Sequence, residues 1–167
     1  MKKVVFIAVG IILAICLLLG GFSAVTKWAF QWIKVEGSSM EPTYVVGETL
    51  RINKLTKSFK NGDVIVFTSS ANNEPWIKRI IASEGQTINI DYASSKVYVD
   101  EVLLDEPYIK EKVIKVKGDV EFPLVVPKNH YFVMGDDRNN SEDSRRSRIG
   151  FVNKSQIIGK ITGKKSK

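Results

Sequence analysis

The sequence predicts a mostly β domain over residues 26–167, preceded by one membrane-length apolar helix, and three observations carry that expectation. Short runs rich in Val, Ile, Tyr and Phe recur between turn residues, which is the pattern of strands. No helical periodicity of useful length follows residue 25. Residues 4–25 are 22 consecutive uncharged positions. At about 1.5 Å of helical rise each they span roughly 33 Å, enough for a hydrocarbon core of about 30 Å.

A cleaved secretory signal would have a shorter apolar region, about 7 to 15 residues. Phe22-Ser23-Ala24 also puts a bulky aromatic where such cleavage wants a small side chain, and Ile15 is too large for lipoprotein-type processing at Cys16. Residues 1–25 are therefore expected to be a cytoplasmic tip and an uncleaved transmembrane anchor, with residues 26–167 forming an extracytoplasmic domain. Lys2 and Lys3 on one flank face Lys27 and Lys34 on the other, so the flanking charges leave the orientation open. A short cytoplasmic N-terminus is favoured because a long downstream domain translocates whatever its charge. Trp28, Phe30 and Trp32 fit an interfacial belt beyond the span and equally fit core aromatics of a first strand.

Strands are expected at 32–35, 49–54, 63–68, 76–82, 87–91 and 96–99, then at 102–104, 113–117, 121–125, 131–134 and 156–161. Val97, Val99, Val102 and Leu104 alternate around a tight Asp100-Glu101 turn, the signature of a hairpin. Pro123 cannot donate to a ladder, which confines the 121–125 run to a sheet edge. Lys60-Asn61-Gly62-Asp63, Glu84-Gly85, Gly118-Asp119 and Pro127-Lys128-Asn129 punctuate the runs.

Twenty-five basic and 18 acidic side chains give a net charge of +7, and without Lys2 and Lys3 the domain keeps +5. Such an excess suits an anionic membrane surface or nucleic acid. No aromatic-interleaved basic motif supports nucleic acid, and a solvated lysine-rich surface with a frayed tail at residues 164–167 accounts for the charge more simply. Cys16 is the sole cysteine and His130 the sole histidine. That excludes an internal disulfide, a thiol nucleophile in the domain, and cysteine- or histidine-rich metal centres.

Three segments concentrate the chemistry. Gly37-Ser38-Ser39-Met40-Glu41-Pro42-Thr43 holds Ser39 between glycine and proline, fourteen residues past the apolar stretch. A serine hydroxyl needs a neighbouring base, and standing alone this segment would be an ordinary turn serine. His130, in a turn entering a strand, suits a structural role better than a basic one. Lys78 lies in Glu74-Pro75-Trp76-Ile77-Lys78-Arg79-Ile80-Ile81-Ala82, where period-2 geometry sends Lys78 and Arg79 to opposite faces. Burial among Trp76, Ile80 and Ala82 would lower the pKa of that amine, although a Lys-Arg pair on a strand also suits a solvated edge. Residues 135–145, Gly-Asp-Asp-Arg-Asn-Asn-Ser-Glu-Asp-Ser-Arg, are the densest set of carboxylates, hydroxyls and guanidiniums in the chain. They suit either a polar surface loop or a shell that orients a base.

Taken together and in this order, the three segments, the apolar stretch and Gly62-Asp63-Val64-Ile65-Val66-Phe67 resemble the type I signal peptidases, membrane-bound Ser-Lys proteases, over most of the chain. The compact size and single anchor resemble the short Gram-positive type. The resemblance implies antiparallel β-sheets around an apolar groove. It implies Ser39 as nucleophile and as backbone oxyanion donor, and Lys78 as general base. Ser141 would help orient Lys78, with Asp143, Arg145, Arg79 and Asp136 as the supporting shell and Met40 and Pro42 shaping the turn. The expected substrates are exported preproteins, paired along a strand edge and cut after small residues of Ala-x-Ala type. Work at the membrane lipid near the secretion translocon is expected, with no metal, other cofactor or nucleic acid.

Two positions depart from the family pattern. Gly37 stands where some members have a serine oxyanion donor, and Asp137 where many have asparagine. A non-catalytic, membrane-tethered preprotein-binding homologue is the alternative, and retention of both Ser39 and Lys78 argues against it. A self-cleaving Ser-Lys regulator would want a DNA-binding region, which the chain lacks.

Overall fold

The structure, a computed structural model, describes residues 29–112 and 119–165, which form two antiparallel sheets. In chain order the strands are β1 (Phe30–Lys34), β2 (Thr49–Asn53), β3 (Val64–Thr68), β4 (Pro75–Ser83), β5 (Thr87–Asp91) and β6 (Lys96–Val99). There follow β7 (Val102–Leu103), β8 (Leu124–Val125), β9 (His130–Met134), β10 (Val152–Asn153) and β11 (Ile157–Lys164). The larger sheet runs β1-β2-β11-β3-β4-β9-β10 and the smaller β7-β6-β5-β8. The anchor expected over residues 1–25, Trp28 and the strand expected at 113–117 lie outside the described residues. Among the described residues no helix is long and apolar enough to cross a membrane.

Strands β5 and β6 have the bounds the alternation predicts, and the turn between β6 and β7 holds Asp100 at φ 51° and Glu101 at φ 66°. Two successive left-handed residues match the right-handed twist of the paired strands. The Asp100 carboxylate fastens this turn by accepting from the amide of Thr87 (2.7 Å) and from Gln86 Nε2 (2.9 Å). Strand β8 shrinks to two residues at the edge of the smaller sheet, just after Pro123.

Two features differ from the sequence pattern. β10 is too short for any periodicity to show, and β11 continues through Lys164, which meets Glu48 at 2.6 Å instead of belonging to a tail. Glycines dilute the apolar signal of β11. Gly159 has a packing reason: a side chain there would meet Asn53 O at 2.5 Å and Ile52 Cγ2 at 2.6 Å, so only glycine lets β11 lie against β2.

Three apolar clusters hold the sheets. Ile81, Ala82, Phe132 and Met134 of the larger sheet pack against Ile88, Ile90, Val97 and Val99 of the smaller. Ile65, Phe67, Ile80, Tyr131, Val133 and Val152 form a second cluster. The third, Val35, Met40, Leu50, Ile52, Val64, Val66 and Ile161, matters most for chemistry, because Met40 follows Ser39 and is buried in it. Burying one such side chain contributes about 1.5–3 kcal/mol, which here pins the turn that carries the hydroxyl. Phe30 and Trp32 are 36% and 53% exposed on β1, so they are surface residues of the first strand, not core ones.

Candidate active site

The Ser39 turn is short and internally bonded, with the Glu41 amide donating to Ser38 O (2.9 Å) and the Tyr44 amide to Met40 O (2.9 Å). With Met40 directed into the core, Ser39 projects toward β4. There Lys78 Nζ lies 2.6 Å from Ser39 Oγ. These residues are 39 positions apart in sequence; β4, hydrogen-bonded between β3 and β9, presents Lys78 to the turn that follows β1.

Lys78 is only 4% exposed, and its Nζ stands 5.4 Å from the centre of the Trp76 ring. Burial lowers its pKa from 10.5 to about 8; Asp143 works against that lowering and Arg145 reinforces it. The amine is thereby brought into the range where a neutral fraction exists near neutral pH.

The loop after β9 supplies the surrounding charges. Asp143 is fully buried and accepts from Ser141 Oγ (2.8 Å), the Gly135 amide (3.0 Å), Arg145 Nε (2.7 Å) and Arg145 Nη2 (2.8 Å). Burial pushes its carboxyl up, but the Arg145 guanidinium, the Gly135 amide and Lys78 together hold it below the usual carboxylate range. Arg145 Nη2 also donates to Arg138 O at 2.7 Å. Gly135 is the crossing point: a Cβ there would overlap both Ser141 Oγ and the carbonyl oxygen of Ser39.

A second buried pair sits beside the first. Arg79 donates from Nε (2.8 Å) and Nη2 (2.5 Å) to the two carboxylate oxygens of Asp136, a fork-to-fork contact, and from Nη1 to Gly62 O (2.8 Å). Thr43 Oγ1, from the nucleophile turn, donates to Asp136 at 2.5 Å. The sequence-predicted residues Ser39, Lys78, Ser141, Asp143, Arg145, Arg79 and Asp136 thus form one connected site. His130 stands apart from this network, with Nδ1 at 2.7 Å from Lys128 O and Nε2 at 3.2 Å from Asn153 Nδ2.

Sequence reasoning missed a strap formed by residues 106–112. Glu106 meets the buried Arg138 guanidinium at 2.5 Å in a charge contact that lacks an aligned N–H···O bond. The Tyr108 ring lies 4.0 Å from the Arg79 guanidinium, and burial followed by the Glu106 charge raises its phenol to about 12. Lys110 meets Asp137 at 3.0 Å and Glu41 at 3.2 Å. Each of these contacts spans at least 27 sequence positions, and no local motif marks them.

Beside Ser39 and Lys78 opens a groove of about 580 Å³ whose apolar lining includes Ile33, Val35, Met40, Val66, Trp76 and Ile77, with Glu36, Glu74 and Glu142 around it. Its other wall is β1, which pairs only with β2 and leaves its second edge open among the described residues.

Comparison with known proteins fits this geometry. The family model described as "Signal peptidase, peptidase S26" matches residues 4–164. Signal peptidase I P of Bacillus subtilis subsp. natto is 36% identical over 145 residues, covering 81% of this chain and 76% of that protein. Signal peptidase I U of Bacillus subtilis strain 168 is 36% identical over 135 residues, covering 75% of this chain and 70% of that protein. The crystal structure of a signal peptidase I from Enterococcus faecalis V583 superimposes with a TM-score of 0.54 at 29% identity, covering 63% of this chain and 97% of that one. On the family match and these identities, the chain belongs to the signal peptidase family, peptidase S26.

Proposed function

We propose that this chain is a signal peptidase I, a serine endopeptidase that removes N-terminal signal peptides from exported preproteins with Ser39 as nucleophile and Lys78 as general base. One observation carries the assignment: a lysine amine 2.6 Å from a serine hydroxyl, buried so that its pKa falls to about 8. Neutral Lys78 accepts the Ser39 proton as Oγ bonds to the scissile carbonyl carbon. The tetrahedral oxyanion is met by the Ser39 backbone N–H, since Gly37 offers no side-chain donor. Protonated Lys78 then gives its proton to the leaving amine as the C–N bond breaks. In the second half, Lys78 deprotonates a water that attacks the acyl-enzyme, and the proton returns to Ser39 Oγ as the ester opens.

The Asp143–Arg145–Ser141 and Arg79–Asp136–Thr43 groups act as positioning shells, holding the loop and the nucleophile turn against Lys78. The open edge of β1 offers main-chain groups to an extended substrate, and the apolar groove beside it favours small side chains at the positions one and three before the cut. Residues 1–25 would anchor residues 26–167 outside the membrane, with the N-terminus cytoplasmic and the translocon nearby. Exposed Phe30 and Trp32, with Arg51 over the Phe30 ring at 5.3 Å, suit contact with membrane lipid just beyond such an anchor. Incubating the full chain in detergent with a preprotein whose signal ends in Ala-x-Ala tests the proposal. Cleavage at that site, absent with Ser39→Ala, is the expected result, and no cleavage by the unmodified chain overturns it.

A further inference from the structure

Met40 and Thr43 tie the Ser39 turn to the domain from within, but Asp137 leaves a second demand. Its carboxylate is 2% exposed, its amide donates to the carbonyl oxygen of Ser39 at 3.0 Å, and a charge so buried needs a partner. Lys110 is that partner. Its Nζ lies 3.0 Å from Asp137 Oδ2 and 3.2 Å from Glu41 Oε2, so one ammonium bridges the loop after β9 and the residue two places beyond the nucleophile. The bridge is aimed from the main chain, since the Lys110 amide donates to Asp136 O at 3.1 Å. Its base is held in turn by Glu106 on Arg138 and by Asn139 Nδ2 donating to Lys112 O at 3.0 Å.

We propose that Lys110 is a positioning residue for the peptidase reaction, neutralising Asp137 and Glu41 together so that the Ser39 turn stays docked on the Asp137 amide. This rests on the peptidase assignment above. Without Lys110, two carboxylates that share a single cation face each other across the seam between turn and loop. Like charges then push the seam open, and the Ser39 carbonyl moves away from the Asp137 N–H. A reacting atom displaced by about 1 Å costs as much as 10²-fold in rate, so a seam that opens part of the time costs less. The role belongs to this chain's pairing of Asp137 with Lys110: an asparagine at 137 would carry no charge to neutralise.

The test uses the full chain in detergent and a preprotein substrate. Lys110→Ala is expected to lower kcat about three- to tenfold with KM changed less than about twofold. Lys110→Ala also leaves the buried Asp137 carboxylate without its cation, so its melting temperature should fall, and kcat is measured well below that temperature with the fold checked by circular dichroism. Lys110→Arg should keep more than half of kcat, and adding Glu41→Gln to Lys110→Ala should recover part of the loss by removing the repulsion. Hydrogen exchange at the Asp137 amide should quicken in Lys110→Ala alone. An unchanged kcat, a rise in KM alone, or a kcat loss that neither Lys110→Arg nor Glu41→Gln relieves would overturn the proposal. Should the unmodified chain cleave nothing, the peptidase assignment fails by itself, and the exchange rate at Asp137 still decides whether Lys110 docks the turn.

Discussion

The pH dependence of cleavage follows from the burial of Lys78. With a pKa of about 8, this amine is neutral in roughly 9% of molecules at pH 7 and roughly 90% at pH 9. The value of kcat/KM should therefore rise about tenfold between pH 7 and pH 9 and level off above. At the ordinary lysine value the neutral fraction would climb from about 0.03% to about 3%, a hundredfold rise with no plateau below pH 10. The assay is kcat/KM for a signal-peptide substrate in detergent from pH 6 to pH 10, with the fold checked by circular dichroism at each end. A log-linear climb through pH 10 would refute both the dry pocket and the assignment of Lys78 as the base. The same shift is a stability cost. The folded chain holds its Lys78 proton less tightly than the unfolded chain, which binds more protons between about pH 8 and 10.5. Stability therefore rises through that window, and the full penalty, roughly 3 kcal/mol, applies below pH 8. Lys78→Met removes the penalty and the bond to Ser39, worth about 1 kcal/mol. It should be inactive yet roughly 2 kcal/mol more stable than the unmodified chain in urea at pH 7, with the advantage gone by about pH 10.5.

Ser39→Ala and Lys78→Ala should each abolish cleavage while leaving the circular dichroism spectrum unchanged; turnover by either variant removes the dyad. Gly135→Ala should cost at least about 10²-fold in kcat/KM, because the added methyl overlaps Ser141 Oγ and the Ser39 carbonyl, whereas Gly37→Ala meets nothing within 4 Å and should fold with an unchanged melting temperature. Asp136→Asn strands the Arg79 charge beneath the site and should destabilise the fold by about 3–5 kcal/mol in urea titration, far beyond what a surface pair would cost.

The β architecture was legible along the chain because strand alternation and turn residues are local properties. β5, β6 and the Asp100-Glu101 turn fall where alternation puts them, and the weak edge at β8 follows from one proline. β10 and the last three residues of β11 were not legible, since a two-residue strand has no period and Thr162, Gly163 and Lys164 carry no apolar alternation.

For the site, the order of short motifs carried the family and the residue types, and with them the pairing of a hydroxyl with an amine. Residue order by itself could not set the environment. Whether Lys78 lies in solvent or under a 4% exposed surface depends on the packing of β4 between β3 and β9, and the drop to about 8 is a property of that burial. Nor did the chain announce Glu106, Tyr108 or Lys110, ordinary polar residues whose charges and ring count only where the fold lays them over Arg138, Arg79 and Asp137. The sequence determined which functional groups exist; tertiary structure decided how near and how dry they are, because electrostatic strength depends on distance and dielectric, and neither is written in residue order.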